Sequence, residues 1–301
     1  VNLEYKNLAL LKIEYDDTML KRIITGVVLL AVAGGLIVVQ GWYLRAALLI
    51  MALTSFFEMY RAFRKKGMHP VTWPGYLFCV AEALCIWFED KLAFLDGNHL
   101  LMGMTACVML GIICVVVKGK PDFEAVEATV MPMIYPGLLF LAFMELSDLQ
   151  GRGMVTLALL MTILTSAMND TFALFVGKAL GKRKLIPGIS PNKTVAGAVA
   201  GLAASVAFSV AIPLAVVAVD GHFSGNAAMT MPAPWWAFAI FGLVAGVISQ
   251  LGDLTASLVK RYCGIKDYGK LFPGHGGMMD RLDAILFTAA AVYAFFTALG
   301  Y

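Results

Sequence analysis

Apolar residues run along this chain in blocks of about 17 to 26, each closed by charge or by glycine and proline. Nine such blocks lie near 22–40, 44–61, 72–88, 99–117, 128–146, 154–177, 194–219, 235–258 and 282–300. An apolar run of about 20 residues matches the thickness of a bilayer. In lipid each run must be helical, because an open strand would leave backbone N–H and C=O groups without partners. The pattern predicts an all-α, polytopic integral membrane helix bundle with about nine transmembrane helices.

Composition agrees: 60% of residues are hydrophobic and 14% charged, against about 25% charged in soluble domains. The placement of charge then orients the bundle, since Lys and Arg accumulate on the cytoplasmic side. With a cytoplasmic N-terminus, 20 of the 23 Lys and Arg fall in inner segments, and only Arg45, Lys91 and Arg152 fall outside. The cluster Arg61, Arg64, Lys65 and Lys66 reads as charge that orients a helix and touches anionic lipid. The first 20 residues are too polar for a signal peptide and read as an interfacial lead-in. The cysteines Cys79, Cys85, Cys107, Cys114 and Cys263 form no CxxC pair, so neither zinc nor a disulfide framework is expected. Gly197/Gly201 and Gly242/Gly246 make two GxxxG patterns suited to close helix packing; they also permit a homodimer. Residues 1–150 hold spans one to five, and residues 151–301 hold spans six to nine with two charged loops.

Candidate chemistry gathers in that second region. Asp170 and Asp253 lie within or at the ends of apolar spans, where charge costs about 2.5 to 3.5 kcal/mol and is normally kept for function or a strong partner. Asp253, Ser257 and Lys260 follow i, i+4, i+7 and share one helical face. The bland alternative is an ion pair of Asp253 with Lys260 or Arg261. Asp280 and Asp283 stand at i, i+3 at the mouth of the last span, with Arg281 between them. Three carboxylates beside Lys260, Arg261, Lys266, Lys270 and Arg281 suggest a divalent cation bound together with phosphate, because Mg²⁺ takes hard oxygens from carboxylates, phosphate and water. Gly274, Gly276 and Gly277 allow close backbone approach. His275 suits phosphate donation or proton shuttling, or a purely structural loop role. In the other charged loop, Ser190, Lys193 and Thr194 stand at the predicted start of the seventh helix, where free N–H groups favour an anion. An ordinary helix cap is the alternative there, and the loop is not a Walker A sequence.

These residues resemble the CDP-diacylglycerol synthases, also called phosphatidate cytidylyltransferases. The family pattern of Ser, Lys-Arg, Lys-Asp, a small residue, Pro, His-Gly-Gly and Asp-Arg-x-Asp is matched by Ser257, Lys260, Arg261, Lys266, Asp267, Gly269, Pro273, His275, Gly276, Gly277, Asp280, Arg281 and Asp283. The upstream loop is similar to the family's through Asp170, Thr171, Gly177, Gly181, Lys182, Lys184, Leu185, Ser190, Pro191, Lys193, Thr194 and Gly197, with Ala196 where the family has glutamate. The resemblance implies an enzyme that transfers CMP from CTP to phosphatidic acid, releasing pyrophosphate, at the cytoplasmic face of a bacterial-type inner membrane. It implies Mg²⁺, with K⁺ as a second cation, and Asp253, Asp280 and Asp283 as metal ligands. Lys260, Arg261 and His275 are expected in catalysis beside Asp253 and Asp280. Asp170, Lys182, Lys184, Ser190, Lys193, Thr194, Ser257, Lys266 and Arg281 are expected to bind substrate. The partners expected are CTP, phosphatidic acid and the lipid bilayer, with no nucleic acid. A CTP-dependent lipid kinase of the polyprenol type is the nearest competing reading, and a transporter with a charged gate a more distant one.

Overall fold

The computed structural model describes residues 24–88, 99–119, 121–224 and 230–301. The apolar blocks become helices: α1 (Ile24–Val39), α2 (Gly41–Lys65), α3 (Trp73–Trp87), α4 (His99–Val116), α5 (Phe123–Pro132) running through a kink at Tyr135 into α6 (Leu139–Glu145), α7 (Arg152–Leu180), α8 (Val195–Ser224), α9 (Trp235–Tyr262) and α10 (Met279–Ala298). Seven apolar helical segments among the described residues are long enough to cross a membrane, with Phe123–Glu145 counted as one, and α1 and α3 are shorter. The bundle of nine apolar segments matches the sequence expectation. Its departure from pure helix is a two-stranded antiparallel ribbon, β1 (Lys184–Ile186) and β2 (Ser190–Thr194), pairing Lys184 with Thr194 and Ile186 with Ser190.

The span Phe123–Glu145 is broken for a local reason. Pro132 and Pro136 remove N–H donors, and a proline pushes the residue before it away from helical geometry. Tyr135 accordingly sits at φ −133°, ψ 114°.

Small residues let α7, α8 and α9 approach closely. A Cβ on Gly197 would lie 3.1 Å from the Gly177 Cα, one on Gly201 2.9 Å from the Asn169 carbonyl oxygen, and those on Gly242 and Gly246 2.8 Å from Ser205 atoms. Both GxxxG patterns are thus used inside the chain. Polar side chains lace the same seam: Asn169 Nδ2 donates to the Gly246 carbonyl at 2.7 Å, Gln250 Nε2 donates to Asn169 Oδ1 at 3.0 Å and to the Ala198 carbonyl at 2.9 Å, and Ser166 meets Ser249 at 3.1 Å. Such bonds matter because lipid supplies no hydrophobic force between helices. They fix α7 and α9 next to Asp170 and Asp253.

The two ends of the bundle differ. At one end Arg45 pairs with Asp148, and Arg152 Nη2 donates to the Val38 carbonyl at 2.7 Å. Two of the three basic residues expected on the outer side are therefore together, and Lys91 lies outside the described residues. The opposite end holds both charged loops.

Candidate active site

The two loops that the sequence singles out meet. Lys193, at the end of β2, forms an ion pair with Asp253 on α9. Arg261 Nε, at the end of α9, donates to the Ile189 carbonyl in the β1–β2 turn at 3.3 Å. Asp170 on α7 lies within the electrostatic reach of Asp253, Lys193 and Arg281, and Asp283 within that of Asp253, Lys260 and Asp170. The backbone brings α9 and α10 together here, since a Cβ on Gly252 would lie 2.8 Å from the Asp283 carbonyl oxygen. Asp253 thus has a partner, but it is Lys193 from the other loop, where the ion-pair alternative named Lys260 or Arg261.

Lys260 turns instead to Asp280, donating to Oδ1 at 3.0 Å. Asp280 Oδ2 accepts from the backbone N–H of Tyr268 at 2.8 Å and of Gly277 at 3.0 Å. Oδ2 of Asp280 thus fastens the loop to α10, while Oδ1 ties α10 to α9 through Lys260. The tight turn this needs explains Gly276: it has φ +81°, and a Cβ there would lie 2.9 Å from Asp280 Oδ2. Tyr268 is buried, its hydroxyl donating to the Ala256 carbonyl at 3.0 Å, and burial first of all holds that phenol well above its ordinary range. It serves as a neutral donor.

Among the described residues no three His, Cys, Asp or Glu side chains converge on one point able to hold a metal ion. Asp253 and Asp283, with Asp170 in the same field, are hard-oxygen donors whose chemistry fits a cation that phosphate and water would complete. Asp280, the third carboxylate named for that cation, already accepts from Lys260, Tyr268 and Gly277. His275 lies in a hairpin closed by Phe272 N–H to the Gly276 carbonyl at 2.9 Å, and its buried Nδ1 has no partner among the described residues. Thr194 Oγ1 accepts from Gly197 N–H at 3.2 Å, so this residue caps α8, and Ser190 and Lys193 lie in a strand rather than at a bare helix end. Lys182 and Lys184 are exposed and Ser257 half-buried. Two cavities flank the signature loop: one of about 610 Å³ bordered by Arg61, Lys65, Cys263, Lys266 and Lys270, and one of about 520 Å³ bordered by Lys266, Lys270, His275 and Arg281. Asp267 borders both as well, but the bases outnumber it, and the net positive lining suits anionic groups.

Sequence reasoning missed the grip of α2 on this loop. Glu58, 3% exposed, accepts from the N–H of Met278 at 3.1 Å and of Met279 at 2.8 Å. Those are N–H groups at the start of α10, which a helix leaves without internal partners. Gly277 and Gly269 lack side chains where Glu58 passes; any Cβ would overlap its carboxylate. Arg61 Nη2 donates to the Tyr268 carbonyl at 2.5 Å, and Lys66 Nζ donates to the Tyr262 carbonyl at 3.1 Å. This basic cluster, read from sequence as an orienting charge, docks the loop. The missed signal was an ionisable residue inside an apolar run.

The chain matches the model of the family described as "Cytidylyltransferase family" over residues 20–299. It is 31% identical to the phosphatidate cytidylyltransferase of Bacillus subtilis, covering 91% of this chain and 96% of that protein. It is 30% identical to the enzyme of the same name from Synechocystis, over 93% and 97% of the two chains. With phosphatidate cytidylyltransferase 5 of Arabidopsis thaliana chloroplasts it shares 29% identity over 91% of this chain and 71% of that protein. A match along nearly the whole length, together with two loops joined by Lys193–Asp253 and Arg261–Ile189, places this chain in the cytidylyltransferase family.

Proposed function

We propose that this chain transfers CMP from CTP to phosphatidic acid at the cytoplasmic face of an inner membrane, making CDP-diacylglycerol and pyrophosphate. The observation that carries this reading is the union of the two charged loops around Asp253, supported by the names of the relatives. A phosphate oxygen of the lipid forms a bond to the α-phosphorus of CTP while the bond from that phosphorus to the oxygen bridging to the β-phosphate breaks. Pyrophosphate leaves with the bond's electron pair.

Two anions must meet, so the chain's work is positioning and charge neutralisation rather than a covalent nucleophile. Lys266, Lys270 and Arg281, on the cavity walls, would clamp the triphosphate. Lys193 and Lys260 are each held by a carboxylate, Asp253 and Asp280, which keeps the ammonium groups in place at the junction of the loops. Mg²⁺, when bound, would supply Lewis-acid stabilisation of phosphoryl charge, with Asp253 and Asp283 as its protein oxygens and Asp170 nearby. Asp280 we assign to ordering the loop that carries His275 and Arg281. The site lies at one end of the bundle, where a soluble nucleotide can reach it while acyl chains stay in lipid.

The test uses purified protein with phosphatidic acid or a polyprenol and CTP labelled at the α- or γ-phosphate. α-Label in the phosphatidic acid product supports the reading, and γ-label in polyprenol would overturn it in favour of a lipid kinase.

A further inference from the structure

Tyr135 carries a buried polar group that neither loop explains. It sits in the broken stretch of the span Phe123–Glu145, in the half of the chain where the signature gives no residues. The side chain is 4% exposed, and its hydroxyl has no hydrogen-bond partner among the described residues. Its ring packs on Phe287, with centroids 5.6 Å apart. Phe287 lies one helical turn beyond Asp283 and presses on Gly252, the neighbour of Asp253; a Cβ on Gly252 would lie 2.8 Å from that ring. The hydroxyl stands in the field of the Tyr268 phenol and then of the Asp283, Asp253 and Asp280 carboxylates.

Leaving a buried hydroxyl without a partner costs free energy, and such groups in native folds call for an explanation. Local packing does not supply one, because the same ring would fit Phe287 without its oxygen. The helix is broken at this point, where Pro132 and Pro136 remove donors and Tyr135 takes an extended backbone. What the hydroxyl offers is one proton to donate, beside a group of carboxylates that would draw a cation and the phosphate bound with it.

We propose that the Tyr135 hydroxyl donates a hydrogen bond to the phosphate of the lipid substrate, making Tyr135 a substrate-contacting residue of the reaction proposed above. The lipid is the source favoured by position. Tyr135 belongs to a membrane span and borders neither of the two cavities that the basic loops line. A nucleotide arriving from water meets Lys266, Lys270 and Arg281 first, whereas a lipid phosphate approaches along the spans.

Tyr135→Phe tests this directly, because it removes one oxygen and keeps the ring contact with Phe287. Phosphatidic acid is titrated at saturating CTP, and CTP at saturating phosphatidic acid, with α-labelled CTP as the readout. Loss of a hydrogen bond to a charged group corresponds to roughly a tenfold to hundredfold change in affinity. We expect KM for phosphatidic acid to rise by about tenfold or more, with KM for CTP within about twofold. The melting temperature without substrate should equal or exceed that of the wild type, since an unsatisfied hydroxyl is removed. Unchanged kinetics, a rise confined to CTP, or a fall in kcat with both KM values unchanged would each overturn the proposal. Failure of the wild type itself to move α-label into lipid would instead sink the underlying reading of the reaction.

Discussion

Glutamine at position 58 is the sharpest probe of how the first helices serve the site. Glu58 offers two oxygens to two backbone N–H groups, Met278 at 3.1 Å and Met279 at 2.8 Å, in a place only 3% exposed. Glutamine fills the same volume but offers one oxygen and one NH₂. One buried N–H then faces another donor, and an unsatisfied buried donor costs about 1 to 3 kcal/mol. Loss of the negative charge at the start of α10 removes about a further 0.3 to 1 kcal/mol of dipole interaction. A combined loss of ~2 kcal/mol raises the open fraction of the signature loop about 30-fold, at 1.4 kcal/mol per decade. Cys263 reports on that opening: it ends α9, borders the cavity beside the loop, is 6% exposed, and burial also raises its thiol above the ordinary range. Alkylation of Cys263 followed by peptide mass spectrometry should quicken about 30-fold in Glu58→Gln, while Cys107, buried on α4, keeps its wild-type rate. An unchanged Cys263 rate, or an equal rise at both cysteines, refutes the clamp.

Three further outcomes follow from the site. Asp253→Asn and Asp280→Asn should both abolish α-label transfer, but only Asp280→Asn should also expose Cys263 to alkylation, because Asp280 alone holds the N–H groups of Tyr268 and Gly277; wild-type turnover in Asp253→Asn would remove that residue from the site. Gly201→Leu should lower the melting temperature in detergent, at a cost of about 1 to 3 kcal/mol from overpacking against Asn169, whereas Gly34→Leu, with open space around it, should not; equal melting of the two would refute the close α7–α8 seam. Stripping divalent cations with EDTA should cut turnover by about 100-fold or more, with recovery on adding Mg²⁺, and full activity in EDTA would discard the metal assignment.

Much of this molecule could be read from its sequence because lipid simplifies the code. A run such as 235–258 has a single way to satisfy its backbone, so spans followed from composition alone. The meeting of the two loops was legible for a similar reason, since charge beside so much apolar sequence needs partners. Glu58 and Tyr135 were not legible from the signature, because what distinguishes each is a contact made across more than 100 residues of chain. Glu58 did leave a trace, a lone carboxylate in FFEMY, whereas Tyr135 left only its flanking prolines. The β1–β2 ribbon was hidden by Ser190 to Thr194, which read equally well as a helix cap, and Thr194 turns out to serve both uses.

Helix α3 has a consequence for the bilayer itself. Its 15 residues from Trp73 to Trp87 span about 22 Å at 1.5 Å each, against a hydrocarbon core near 30 Å. Tryptophan stands at both ends, the side chain favoured at the membrane interface, and Leu77 and Leu84 are exposed along its flank. A span this short is accommodated by local thinning of the bilayer or by flanking side chains that reach to the interface. Wherever the bilayer answers by thinning, the thinned ring borders the span that carries Tyr135, because α3 packs against that span along its length.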